Sequence, residues 1–238
     1  MTVDAHIPSS RTPPRLYVPA VVMLVLGIGI GALLAGDWGS SSSPGTTQGS
    51  GVAAQETRTL PMFTAIDLAG AGKVDVRIGR EQMVVVTADD NIVERVTTDV
   101  RDGRLVIAND GSFTTKIPLS VAVTVPGLER ASLTGSGSVD VEGIRAEAFV
   151  LRLPGSGMIR VSGVVDQLDA GLAGSGDAEL ANLIAREVTA SVSGSGRMHV
   201  YAAEELDASV SGTGVIEYGG SPGRVAQSVS GTGAVVRR

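Results

Sequence analysis

Apolar residues in the second half of the chain fall into columns. From Glu129 to Arg238 one phrase returns six times, as Gly135-Ser136-Gly137, Gly155-Ser156-Gly157, Gly174-Ser175-Gly176, Gly194-Ser195-Gly196, Gly212-Thr213-Gly214 and Gly231-Thr232-Gly233. Two residues before each phrase stand Leu133, Leu153, Leu172, Val192, Val210 and Val229. Four residues after its first glycine stand Val139, Ile159, Ala178, Met198, Ile216 and Val235, and six after it Val141, Val161, Leu180, Val200 and Tyr218. Asp140, Arg160, Glu179, His199 and Glu217 lie between those two columns. Alternation with period two predicts half-buried strands, and a regular return of the whole pattern predicts stacked repeats. Each repeat then forms one coil of a parallel β-solenoid, with strand, glycine corner, strand, and a second turn near Gly143, Gly163 or Asn182. A Leu or Val in such a column contributes on the order of 1.5 to 3 kcal/mol when neighbouring coils cover it, which is why several copies are needed.

The segment before the repeats is also alternating. Val74, Val76 and Ile78, then Met83, Val85 and Thr87, read as strands. Asp102-Gly103 between Thr97–Val100 and Leu105–Ile107 predicts an antiparallel hairpin, because an Asp-Gly pair takes the positive φ values of a tight turn. Asn109-Asp110-Gly111-Ser112 predicts a loop, and Leu119, Val121, Val123 and Val125 a strand stopped by Pro126-Gly127. Gly70-Ala71-Gly72 followed by Lys73-Val74-Asp75-Val76 reads as a diverged first copy of the repeat. Asp89-Asp90-Asn91 invites a calcium reading, but no regularly spaced acids complete a ligand set, so a turn with local side-chain caps is expected.

The N-terminal quarter differs. Leu16 to Gly36 carries no charge and is long enough to cross a bilayer, with Arg11 and Arg15 before it and Asp37 after it. This predicts a cytoplasmic tail at 1–15, one transmembrane signal anchor at 16–36, a Gly/Ser-rich stalk at 37–58 and an exported β-domain at 59–238. A cleaved secretory signal is the competing reading and exports the same domain. Gly39 to Gln55 has no charged residue and little to bury, so a flexible stalk is expected there.

Composition narrows the chemistry. A formal charge of -6 with no basic run argues against nucleic acid. Cysteine is absent, which removes disulfides, thiolate metal sites and a cysteine nucleophile. His6 and His199 are the only histidines, so no multi-histidine metal site is expected, and no cofactor or metal is expected either. The glycine phrases lack the Gly-Lys-Ser/Thr ending of a P-loop, the third glycine of a dinucleotide fingerprint and the Gly-x-Ser-x-Gly nucleophile turn. Asp140 and Glu179 share an outward column with Arg160 between them. Their ~10 Å separation is slightly beyond that of an inverting glycosidase pair, and a solvated charge ladder accounts for them.

The residue between the glycines is always a hydroxyl: Ser136, Ser156, Ser175, Ser195, Thr213 and Thr232. Ser191, Ser193, Ser209, Ser211, Ser228 and Ser230 add a second hydroxyl-rich set just before the last three corners. Such residues ordinarily satisfy backbone groups at turns. The functional alternative is a polar, low-charge strip, and the six central hydroxyls are the candidate binding surface.

Several ordered motifs resemble one family. Phe63-Thr64-Ala65-Ile66-Asp67-Leu68, Val86-Thr87-Ala88-Asp89-Asp90-Asn91, Gly103-Arg104-Leu105-Val106-Ile107, Val123-Thr124-Val125-Pro126-Gly127-Leu128 and the Gly-Ser-Gly repeats are similar to the head GIN domain of bacterial putative autotransporter adhesins (DUF2807), from about Phe63 to Val236. The resemblance implies a right-handed β-helix-like fold in an exported bacterial protein and an adhesive role. It carries over no ligand and no catalytic residue. The expectation is a membrane-anchored, non-enzymatic envelope domain, periplasmic or on the cell surface, that offers a rigid surface to a glycan or protein partner. The alternatives are a carbohydrate-active β-helix enzyme using Asp140 or Glu179, and a structural protein that self-associates into homo-oligomers through the open end at Val235 and Val236.

Overall fold

The computed structural model describes residues 46–238; the expected tail, the expected transmembrane helix and residues 37–45 of the expected stalk lie outside the described residues. Among the described residues the protein is all-β apart from one 3-10 turn at Val93–Arg95, and no helix there is long and apolar enough to cross a membrane. In chain order the strands are β1 (Thr47–Gln48), β2 (Ala53–Arg58), β3 (Ala65–Gly70), β4 (Lys73–Ile78), β5 (Met83–Asp89), β6 (Val96–Arg101), β7 (Arg104–Asn109), β8 (Phe113–Thr114), β9 (Ser120–Val125), β10 (Arg130–Gly135), β11 (Ser138–Gly155), β12 (Met158–Gly174), β13 (Asp177–Gly194), β14 (Arg197–Gly212), β15 (Val215–Gly219), β16 (Arg224–Gly231) and β17 (Ala234–Arg237).

The long strands β11 to β14 are coils. Each leaves one glycine corner, bends at a register shift and ends at the next corner, and each pairs in parallel with the coil before and after it. Shifts fall between Val141 and Ile144, Arg160 and Gly163, and Leu180 and Ile184, where the second turn is expected, and a further one falls between Ala185 and Glu187. The result is a β-solenoid of about five turns. Columns read from the sequence become stacks: Leu153 pairs with Leu172, Leu172 with Val192, Val192 with Val210 and Val210 with Val229. Leu133 through Val210 are buried, as are Val139 through Ile216 in the second stack. Val229 and Val235 also occupy inward positions, yet they stay partly or largely exposed because no further described strand covers them, and Tyr218 is half-buried with Arg237 as the next member of its column.

The first coil is the diverged copy. Gly70 pairs with Gly135, Val74 with Val139 and Asp75 with Asp140, all in parallel. Beyond it β7 on β3 and β9 on β4 still pair in parallel, and then the stack changes character: β6 and β7 form the antiparallel hairpin, with Asp102 and Gly103 at φ 51° and 71°, while β2 and β9 both pair antiparallel with β5. This end is therefore closed by antiparallel strands, whereas β16 and β17 lie at the other.

Corners are tight because adjacent backbones hydrogen-bond across them. Ser195 N–H and Gly196 N–H both donate to the Gly174 carbonyl, at 2.9 and 3.0 Å. Gly194 holds φ at 121°, and a Cβ there would stand 2.4 Å from the Gly174 oxygen. A side chain is excluded at this place by backbone that cannot move aside.

The folded unit begins earlier than the expected boundary at residue 59. β1 pairs with β8, and β2 pairs with β5 over Ala53–Arg58, so the later part of the expected stalk is sheet. Its anchor is Asp89, fully buried. The Asp89 carboxylate accepts N–H groups from Gly51 at 2.6 Å, Lys116 at 3.0 Å and Ile117 at 3.1 Å. Neighbouring side chains extend the clamp, with Ser50 Oγ donating to Asp90 and Asn91 Nδ2 donating to the Gln48 carbonyl at 2.8 Å. Caps in this acidic group thus reach across the sequence, where a local turn is expected. Burial pushes the Asp89 carboxyl up, but the backbone donors outweigh it and hold the group below the ordinary carboxylate value.

Gly194→Ala lowers stability by at least about 1 kcal/mol, read as an earlier urea midpoint at unchanged slope, because it combines positive φ with a backbone clash. For Asp89 the folded pKa lies below the unfolded one, so its contribution is complete above about pH 4 and is lost as pH falls through the folded value. Asp89→Asn should flatten the acid limb of a stability–pH profile, and an identical acid limb in the variant would exclude this role.

Candidate functional site

The central hydroxyls form one edge. Their flanking glycines pair in consecutive coils, Gly135 with Gly155, Gly155 with Gly174, Gly174 with Gly194, Gly194 with Gly212 and Gly212 with Gly231. Ser136, Ser156, Ser175, Ser195, Thr213 and Thr232 therefore rise in file, and all six are exposed. The backbone N–H groups, rather than the side chains, bond to the coil below, as in Thr213 N–H to the Gly194 carbonyl at 2.9 Å. None of the six hydroxyls bonds to another described residue, so the file is available to solvent or a ligand.

The second serine set lies on the adjoining flat face. Ser191, Ser209 and Ser228 pair in register, as do Ser193, Ser211 and Ser230, and all six are exposed. Strand geometry spaces them ~4.8 Å from coil to coil and ~6.6 Å along a strand. Ala208 and Val210, alternating with them, point into the core, which holds the backbone flat beneath the grid. One coil earlier the same columns hold Gly171 and Ala173, and one earlier still Arg152 and Pro154. Small residues between larger ones leave a shallow depression of about 420 Å³, bordered by Arg152 and Pro154 on one side and Ser191 and Ser193 on the other. Arg152 is fixed there by Asp169, with its guanidinium donating to both carboxylate oxygens at 3.1 and 2.5 Å. The depression was not visible as a motif; aligning the repeats by column reveals it.

A charged ladder occupies the strand after the corner. Its register runs Asp75, Asp140, Arg160, Glu179, His199, Glu217. Lys73 lies 2.5 Å from Asp75 and 3.5 Å from Asp140, and Arg160 lies 3.4 Å from Asp140. His199 Nδ1 is 2.9 Å from Glu179, while Nε2 is buried without a hydrogen-bond partner, 3.6 Å from Glu217. Arg238 pairs with Glu217. Asp140 and Glu179 thus project from one sheet face, each against a cationic or imidazole neighbour. A glycosidase pair needs its carboxyls on opposite sides of a bound sugar. A groove of about 770 Å³ runs along this ladder, between Met83 and Thr124 on one wall and Arg160 and Ser162 on the other. The sequence reading missed Lys73 and Asp75 as members, although the diverged first copy aligns Asp75 with Asp140. Among the described residues no group of three or more His, Asp or Glu side chains is placed to hold a metal ion.

These features define a glycine-cornered β-solenoid whose chemistry lies on open faces. The family model for the putative auto-transporter adhesin, head GIN domain (DUF2807), matches residues 62–222, and the chain belongs to that family. A crystal structure of a putative adhesin from Bacteroides fragilis is similar to it at 23% identity and a TM-score of 0.69, covering 80% of this chain and 99% of that one. A putative lipid binding protein from Parabacteroides distasonis is similar at 20% identity and a TM-score of 0.55, covering 82% and 100%. At these identities the likeness shows the fold. No curated protein matches the chain.

Ion pairs that keep one side open to water contribute little to stability, and Asp140 and Glu179 are half-buried on such a face. Asp140→Asn and Glu179→Gln should each shift the unfolding free energy by less than about 1 kcal/mol, measured by urea denaturation. A larger loss from either would show that the ladder holds the coils together.

Proposed function

We propose that this domain is a membrane-tethered, non-enzymatic module of the bacterial envelope that binds an uncharged glycan along its serine face. The observation that carries the reading is the flat grid of exposed serines beside the depression at Gly171 and Ala173. A periodic array of hydroxyl donors and acceptors complements a polymer that presents hydroxyls at a similar repeat, and the charges at its border, Arg152 and Asp169, are already paired with each other. Membership in an adhesin-named family supports a role outside the cytoplasm. Tethering rests on the apolar stretch at 16–36, which would place the solenoid in the periplasm or on the cell surface.

Co-sedimentation of the detergent-solubilised full chain with insoluble uncharged polysaccharides and with deproteinated cell wall tests this. Ser193→Ala combined with Ser211→Ala should weaken binding about tenfold, as expected for two lost hydrogen bonds of ~0.5–1.5 kcal/mol each. Binding that is absent from every glycan, or indifferent to these substitutions, would remove the reading. Retention on envelope proteins alone would transfer the face to a protein partner.

A further inference from the structure

The coil carrying β16 and β17 departs from the others in a patterned way. Val225 and Val229 continue buried columns yet are 39% and 45% exposed. Between them the column that runs through Ala170, Ala190 and Ala208 ends in Gln227, an exposed amide at an inward position. The arginines of this coil turn back onto their own chain. Arg224 lies 2.7 Å from Glu205, Arg237 donates to the Gly220 carbonyl and to Ser221 Oγ at 3.0 Å, and Arg238 pairs with Glu217. An edge strand is ordinarily protected by charges, and here Arg224 and Arg238 are held by carboxylates of the preceding coil and Arg237 by a backbone carbonyl and a hydroxyl.

A further parallel coil of the usual kind would press the Gln227 amide against an aliphatic column and leave a polar group without a partner. An antiparallel copy does not. The inward residues are symmetric about Gln227, with Val225 and Val229 equidistant on either side, and Ala226 and Ser228 between them. A two-fold axis through Gln227 sets amide opposite amide, which can exchange hydrogen bonds, and sets each Val225 opposite the second copy's Val229.

We infer that β16 is a homodimer interface, in which it pairs antiparallel with the same strand of a second copy and Gln227 lies on the two-fold axis. The contact is small. A coil end about 27 Å long and 15–20 Å across covers on the order of 500 Å² per copy, at the lower bound of specific interfaces, so association is weak and reversible. Because β2 and β6 lie at the opposite end of the stack, the two entry segments point to the far ends of the pair. If the tether proposed above holds, copies anchored on two apposed surfaces are joined head to head.

The chain has no cysteine, so a single one reports cleanly. Directly opposed residues of an antiparallel pair have Cα atoms about 4.5–5.5 Å apart, within disulfide range. Full-length Gln227→Cys, solubilised in detergent and mildly oxidised, should yield a disulfide-linked dimer, whereas Ser156→Cys, exposed on the side of a coil, should stay monomeric. In the otherwise native chain, Val229→Asp should raise the dimer dissociation constant at least about tenfold by sedimentation, since the charge enters twice, with circular dichroism showing that the variant is still folded. A Gln227→Cys protein that remains monomeric with a reactive thiol, or equal crosslinking through Ser156→Cys, would overturn the interface. So would a native chain that is monomeric at concentrations on the order of 100 µM. Neither readout depends on glycan binding or on the anchor, so the proposed function can fail while this stands.

Discussion

Adjacent coils in this protein approach so closely at their corners that only backbone fits between them. At Gly194 and Gly196 the preceding coil supplies a carbonyl within 2.4 to 2.5 Å of where a side chain would begin. That contact fixes the vertical register. Once Gly174 sits over Gly155 and Gly194 over Gly174, each aliphatic column is aligned without further specification, and each outward residue meets its counterpart one coil away. The hydrophobic stacks provide the favourable energy, but the corners decide which residues share a stack. Serine grid, charged ladder and hydroxyl file are all by-products of that single alignment.

Because the register is inherited from corner to corner, function can vary on one face without disturbing another. The ladder after the corner is charged and internally paired, whereas the face before the later corners carries a flat grid of serines with the Arg152–Asp169 pair at its border. A solenoid of this kind is quasi-one-dimensional, so a substitution on a face is felt by the coils above and below and little beyond them. The depression at Gly171 and Ala173 illustrates the freedom: two small residues in one coil change the surface, while Leu172 between them keeps its place in the core.

Much of this was legible in the sequence, for a physical reason. Period-two alternation and a glycine at each corner are local consequences of the fold, so the stacked coils, the inward columns, the Asp-Gly hairpin and the diverged copy at Gly70 could be read residue by residue. The family could be read for the same reason, since its ordered motifs are those elements. The start of the domain could not. Thr47 to Gly51 is polar and glycine-containing, and what orders it is a buried carboxylate some forty residues later, a contact that leaves no periodicity. Asp89 itself looked like part of a surface turn because its donors come from two separate segments. Gln227 escaped notice because it falls in a column four residues before the glycine, whose three preceding members, Ala170, Ala190 and Ala208, are small. On the candidate surface, sequence located the hydroxyls, but their lack of internal partners is a property of three-dimensional geometry.

The Asp89 clamp also sets where traction would enter the molecule. A pull applied through the N-terminal segment reaches the fold at β1 and at Gly51, where the carboxylate holds two loops together before any coil is engaged. Behind it, β2 runs antiparallel to β5 across Ala53–Arg58, so separating them under tension means stripping a whole ladder of backbone bonds. The coils lie beyond that fuse. Their register is set by the glycine corners and not by the first few strand residues, so the clamp and the stack can give way as separate events.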